Sequence, residues 1–97
     1  MANNVQNIID INGKKVEIEA PASSWVVFEN CVCVQLEEGE DNLICIDKKG
    51  KLLWRGSEFY KKNTKALKIA QVGNKLLKVV WYNNDVKVID VKKRCLA

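Results

Sequence analysis

The chain has 97 residues, of which 47% are apolar and 29% are charged, and its formal net charge at neutral pH is +4. This length suits one small domain, and the apolar content is too high for a disordered chain. No apolar run approaches the roughly 20 residues that a membrane helix needs. The N-terminus lacks the basic residue and apolar stretch of a secretory signal. We therefore expect a cytoplasmic protein without a membrane partner.

The first twenty residues predict a β-hairpin. Apolar and polar residues alternate in segments 5–11 and 14–20, with Val5, Ile9 and Ile11 on one face of the first arm. Asn12-Gly13 lies between the two arms and is typical of a type I′ turn. One face of this hairpin is apolar, so another element should cover it.

The centre of the chain predicts a meander over residues 25–55. Pro21 should end the pairing of the hairpin, because proline cannot donate to a ladder. Residues 25–36 then predict a short and a longer strand. Residues 43–46 are apolar at every position, which favours a central strand that is covered on both faces. Gly50 supplies the turn into the returning strand, 51–55.

The C-terminal half predicts a second meander over residues 66–91. Strands are expected at 66–72, 75–82 and 86–91, with Gly73-Asn74 as a two-residue reversal. Ser57 could cap a helical turn over the next residues, and a basic loop is the alternative. About eight strands and at most one short helical turn indicate an all-β fold. We expect one domain over residues 1–97, built as an antiparallel sandwich or a curled meander.

A weak repeat relates the two meanders. When the chain is shifted by about 43 residues, residues 46, 47, 49 and 53 coincide with identical residues at 89, 90, 92 and 96. Residues 43–55 resemble the blade repeat of quinoprotein-type β-propellers, in which a strand ending in Asp leads through a Gly turn into a strand ending in Leu-Trp. Small bacterial β proteins of uncharacterised function share this pattern. The resemblance implies a blade-like meander and no quinone cofactor. Propellers have about 4–8 blades, so two blades could not close one.

The residue inventory argues against an enzyme. Histidine is absent, which removes the commonest general base and the commonest nitrogen ligand for metals. The glycines are scattered and form no phosphate-binding pattern. The acidic turn at residues 37–41 is interpreted as a solvated surface. We therefore expect no catalytic residues and no cofactor.

The four cysteines allow three interpretations. Cys31 and Cys33 should point to the same face of a strand, while Cys45 and Cys95 are single. Small buried hydrophobic residues in a reducing compartment are the favoured interpretation. A metal site and a disulfide between distant cysteines remain the alternatives.

Charge divides the chain into two halves. Residues 1–47 hold two basic and nine acidic side chains, a net charge of −7, whereas residues 48–97 hold fourteen basic and three acidic, a net charge of +11. The halves could neutralise each other, or the second half could present a basic, aromatic binding face. Trp54 and Trp81 are assigned to the core. The candidate binding residues are Arg55, Phe59, Tyr60, Lys61, Lys62, Lys65, Lys68, Lys75, Lys78 and Tyr82.

These features favour a non-enzymatic protein that binds another macromolecule. The first hypothesis is a small bacterial or phage protein that binds an acidic protein partner, as an inhibitor or immunity factor does. A nucleic-acid-binding domain without sequence specificity is the alternative, although lysine outnumbers arginine. A small-ligand-binding domain is a further alternative. Open sheet edges also lead us to expect a homo-oligomer.

Overall fold

The computed structural model describes residues 7–60 and 65–97, which form ten antiparallel strands and one 3₁₀ turn at Gly56–Glu58. This confirms the predicted all-β antiparallel fold with at most one short helical turn. The strands are β1 (Ile8–Ile11), β2 (Lys14–Glu17), β3 (Ala22–Val27), β4 (Val32–Leu36), β5 (Leu43–Ile46), β6 (Leu52–Arg55), β7 (Ala66–Val72), β8 (Leu76–Trp81), β9 (Val86–Asp90) and β10 (Cys95–Leu96).

Strands β1 and β2 form the predicted N-terminal hairpin. Its turn has positive φ angles at Asn12 (52°) and Gly13 (90°), as a type I′ turn requires. Ile9 and Val16 are directly opposite each other, and both are buried. Val5 lies outside the described residues. The alternation of apolar and polar residues therefore gives this two-stranded ribbon one buried face.

The next four strands form a sheet in the order β3-β4-β5-β6. The hairpin packs on one face of this N-terminal sheet, where the apolar side chains of the two elements form one cluster. All four residues of β5 are buried, which confirms the prediction that this strand is covered on both faces. The buried cluster between the hairpin and the N-terminal sheet comprises Ile9, Ile11, Val16, Ile18, Val32, Val34, Leu36, Ile44 and Ile46.

The last four strands form a second sheet, the C-terminal sheet, in the order β10-β9-β8-β7. Its inner face packs on the opposite face of the N-terminal sheet, so the hairpin and the two sheets form three layers. Leu77, Val79 and Ile89 lie on this inner face and are fully buried. Gly56 is also buried there, and a Cβ at this position would lie 3.0 Å from Trp81 and 3.1 Å from Leu43. Only glycine therefore fits the close approach of the 3₁₀ turn to this core.

Two polar side chains join the sheets where β7 begins. Asn42 is 1% exposed; its Oδ1 accepts from Ala66 N–H at 2.8 Å, and its Nδ2 donates to the carbonyls of Ala66 and Leu36 at 3.0 and 3.1 Å. Gln35 Nε2 donates to the carbonyls of Ala66 and Leu67 at 3.2 and 2.8 Å. The register of β7 and β8 shifts between residues 66 and 68. These amides therefore satisfy backbone groups at an irregular point of the ladder.

Three local predictions differ from the structure. Arg55, not Ser57, precedes the 3₁₀ turn, and the Ser57 hydroxyl instead donates to Asp41 at 2.9 Å. The β7–β8 connection has three residues, because Val72 pairs with Leu76 and only Gly73 is left-handed there. The tail adds β10, whose two residues are too few to give a period-2 signal.

The two sheets have the same strand connectivity, and their corresponding strands begin at about the 43-residue shift of the sequence repeat. Strands β3 and β7 begin at Ala22 and Ala66, 44 residues apart, and β5 and β9 begin at Leu43 and Val86, 43 residues apart. In each sheet an aspartate follows or ends the third strand and caps the next turn. Asp47 accepts from the backbone N–H of residues 49 and 51, and Asp90 accepts from those of residues 92 and 93.

These capped turns predict a dependence of stability on pH. Backbone hydrogen bonds lower the pKa of Asp47 and of Asp90. A carboxylate whose pKa is lower in the folded state contributes stability above its unfolded pKa and loses it as the pH falls through the folded value. The wild-type protein should therefore lose stability as the pH falls below the ordinary pKa of an aspartate, about 4. The free energy of unfolding of the Asp47→Asn/Asp90→Asn variant, measured by urea denaturation at several pH values, should change less with pH than that of the wild type. An equal change in both proteins would contradict the assignment.

Candidate binding face

The aromatic residues of the predicted binding face lie mostly in the core. Tyr60 is 8% exposed and stacks on Trp81, with ring centroids 4.8 Å apart. Phe59 is half-buried and contacts Trp54 edge-on, with centroids 5.0 Å apart. The assignment of Trp54 and Trp81 to the core is confirmed. The stacked and edge-on rings therefore anchor the segment after β6 to the interior.

Several predicted basic residues lie apart from one another. Arg55 Nη2 donates to both carboxylate oxygens of Glu19, at 2.5 and 2.6 Å, and this pairing raises the pKa of Arg55. Lys75 lies in the β7–β8 turn, and Lys65 is half-buried before β7. Lys61 and Lys62 lie outside the described residues. The ion pair of Arg55 is one case in which the acidic and basic halves neutralise each other.

Lys68, Lys78 and Tyr82 share the outer face of the C-terminal sheet. Lys78 lies opposite Ala70 and Val88, and Lys68 lies opposite Val80. Since directly opposed residues point to the same side of a sheet, these side chains face away from the buried inner face. Tyr82 follows β8 in the same alternation and is 68% exposed. The outer face comprises Lys68, Ala70, Val72, Leu76, Lys78, Val80, Tyr82, Val86 and Val88.

Aliphatic side chains form most of the outer face. Val72 is 42% exposed and Val86 is 49% exposed, while Leu76, Val80 and Val88 are half-buried. In the part of the chain that the structure describes, no element packs across them. These aliphatic residues were not among the predicted binding residues, although their alternation with Leu77 and Val79 places them together on the opposite face. An exposed patch that consists mostly of apolar side chains is a typical mark of an interaction site.

The outer face is positively charged. Asp90 lies at its margin, opposite Leu76, and is 7% exposed. Its carboxylate accepts from two backbone N–H groups of the following turn, so it is already engaged within its own loop. Lys68 and Lys78 are therefore the charges that the face presents to a partner.

A second feature lies between the sheets, where three thiols approach one another. The sulfur atoms of Cys31, Cys33 and Cys45 all lie within 4.8 Å of one another, and all three residues are buried. Hydrogen bonding with Cys33 and Cys45 lowers the pKa of Cys31, whereas bonding with Cys31 raises the pKa of Cys33 and of Cys45. Cys95 is exposed, unlike the buried position expected for it. The cysteines that the structure describes are free.

A cleft of about 440 Å³ opens beside these thiols. It lies where the β3–β4, β7–β8 and β9–β10 turns meet β6. Its lining includes one carboxylate, Glu29, and three basic side chains, Lys75, Lys92 and Arg94. The paired carboxylates of a glycosidase-like site are not found among the described lining residues.

Across residues 7–60 and 65–97, no helix combines the length and apolar character needed to cross a bilayer. Comparisons with protein-family models, with curated proteins and with solved structures found no significant match to this chain. The outer face and the thiol cluster are the two features of the described residues that bear on function.

Proposed function

We propose that this is a non-enzymatic cytoplasmic protein that binds an acidic protein partner through the outer face of its C-terminal sheet. The observation that carries the proposal is the uncovered row of aliphatic residues around Lys68 and Lys78. The equivalent broad face of the N-terminal sheet is covered by the hairpin. An inhibitor or immunity factor of bacterial or phage origin is the kind of protein that would act by such surface recognition.

The composition of the face favours a protein over a nucleic acid. Aliphatic side chains surround Lys68 and Lys78 on this face, and such a mixture of apolar and charged side chains suits a protein interface. Single-stranded nucleic acids are bound mainly by stacking on aromatic residues and by a dense array of positive charge. On the described face Tyr82 is the one aromatic residue, and arginine is absent.

The charge of the face favours a partner other than a second copy in a symmetric dimer. A two-fold contact would bring the same surface of each copy together. It would thereby bring two surfaces of the same positive sign together, and like charges across an interface are destabilising. A surface that presents acidic side chains among apolar ones is complementary to this face. Self-association through the sheet edges stays a separate prediction.

Site-specific photo-crosslinking in cells of the source organism tests this proposal. A benzophenone amino acid at position 86 would lie on the outer face, whereas the same residue at position 8 would lie on the hairpin. The two native side chains, Val86 and Ile8, are 49% and 48% exposed, so they are a matched pair. We expect an adduct with an acidic protein from position 86 and a much weaker one from position 8.

Other crosslinking results would overturn the proposal. These are no adduct from position 86, equal adducts from both positions, an adduct with nucleic acid, or an adduct with another copy of this chain. Denaturing electrophoresis followed by mass spectrometry distinguishes each of these from an acidic protein. Circular dichroism of both labelled proteins verifies that they are folded.

A further inference from the structure

Strand pairing brings three separate cysteines to one place on the inner face of the N-terminal sheet. Cys33 on β4 lies directly opposite Cys45 on β5. Cys31 comes two residues before Cys33, and its carbonyl accepts from Phe28 N–H at 2.8 Å to close the β3–β4 turn. All three belong to the buried cluster between the sheets. The three sulfur atoms therefore project from adjoining, well-packed backbone segments.

The spacing of the sulfur atoms suits a bound metal ion. A zinc–sulfur bond is about 2.3 Å long, so three sulfurs around one ion lie about 4 Å apart. The three sulfur atoms here lie within 4.8 Å of one another before any ion is present. Small side-chain rotations would close the remaining difference without moving the strands. Such pre-arrangement reduces the conformational cost of binding.

The ligand type restricts which ions suit the site. Thiolate is a soft ligand that selects Cu⁺ and Zn²⁺ over Mg²⁺ and Ca²⁺. Zn²⁺ held by three protein ligands keeps a fourth position for water or another ligand. The cleft offers that position, because Cys31 lines it.

The surroundings also suit an anionic metal–thiolate centre. Three thiolates carry a net charge of −2 with Cu⁺ and of −1 with Zn²⁺. Three basic residues and one carboxylate, Glu29, line the adjoining cleft, and Arg94 also pairs with Glu58 at 3.8 Å. The remaining excess of positive charge would offset part of the charge of the metal–thiolate centre. The cleft further supplies an entry path, which a metal site requires.

We propose that Cys31, Cys33 and Cys45 form a three-thiolate site for a thiophilic ion, Cu⁺ or Zn²⁺, with its open side toward the cleft. On binding, each ligating thiol releases its proton to solvent and forms one sulfur–metal bond. The step involves no change in oxidation state. This site is independent of the outer face proposed for partner binding, which lies on the other side of the C-terminal sheet.

Parallel metal titrations test the site. The reduced protein would be titrated anaerobically with Cu⁺ against a chromogenic Cu⁺ chelator and with Zn²⁺ against a zinc-binding dye. We expect one ion per chain for at least one of the two metals, accompanied by thiolate-to-metal charge-transfer absorption. Cys31→Ala should weaken binding at least about a hundredfold. Cys95→Ala removes a thiol outside the cluster and should leave affinity unchanged.

Alkylation provides a second readout that needs no variant. Under native conditions, bound metal should slow the reaction of Cys31, the thiol beside the cleft, without protecting Cys95, as measured by mass spectrometry. The proposal is overturned if neither ion competes with its dye or if Cys31→Ala and Cys95→Ala bind equally. Unchanged alkylation of Cys31 at saturating metal would also overturn it. Circular dichroism verifies the fold of each variant.

Discussion

Replacing Asn42 by alanine is expected to lower the free energy of unfolding by about 3 kcal/mol. The Asn42 amide makes three hydrogen bonds at the point where the two sheets meet, and Ala66, which supplies two of the partner groups, is fully buried. Removing the amide leaves the Ala66 N–H without this acceptor, and an unsatisfied buried donor costs about 1–3 kcal/mol by itself. Loss of the bonds to two carbonyls adds the remainder.

Asn74→Ala is the matched control for this substitution. Asn74 is exposed in the β7–β8 turn, and changes at such surface positions usually alter stability by less than about 0.5 kcal/mol. Urea denaturation of both variants, followed by far-UV circular dichroism, measures the difference. Equal midpoints for the two variants would show that the amide does not hold the sheets together.

Replacing Trp54 by alanine is expected to lower the free energy of unfolding by about 4 kcal/mol. Trp54 is 2% exposed, lies opposite Cys45 in the ladder and contacts Phe59 edge-on. Its removal would expose an apolar gap between the sheets and release the segment after β6. A small domain has only about 5–15 kcal/mol of net stability, so the variant should be close to unfolding at 37 °C.

Trp25→Ala provides the same change of side chain in a different environment. Trp25 is 37% exposed, and its Nε1 donates to the Asp10 carbonyl at 3.1 Å. Its loss should cost less than the loss of Trp54, because more than a third of the Trp25 side chain is already exposed in the folded state. Thermal unfolding by calorimetry compares the two variants, and similar losses for both would contradict the assignment of Trp54 to the core between the sheets.

The strands were predictable from two local patterns, which are alternation in the hairpin and short apolar runs bounded by turn residues in the sheets. The uninterrupted apolar run of β5 indicated a strand covered on both faces, and Asn12-Gly13 indicated the first turn. Both signals are local, so they do not depend on how the sheets pack. Tyr60 was assigned to a binding face, but it stacks on Trp81. The sequence does not indicate this contact, because residues 56–60 have no periodic pattern and the two rings meet only in the folded chain.

The two candidate sites depend on pairing that no local pattern reveals. Cys31 and Cys33 could be placed on one face from their spacing, but the position of Cys45 depends on the register of β4 and β5. The outer face presented a similar difficulty. Strands β8 and β9 are apolar on both sides, so alternation alone does not tell which side is buried. The buried side is the one that packs against the N-terminal sheet, and a local sequence pattern does not reveal that contact.

The most direct test of partner binding by the outer face is a charge reversal combined with crosslinking from position 86. We predict that Lys68→Glu/Lys78→Glu reduces the yield of the acidic adduct about thirtyfold, equivalent to about 2 kcal/mol. Lys14→Glu/Lys49→Glu changes the net charge equally at exposed positions elsewhere and should preserve the yield. Equal yields from the two charge-reversed proteins would contradict the proposal that this face recognises an acidic partner.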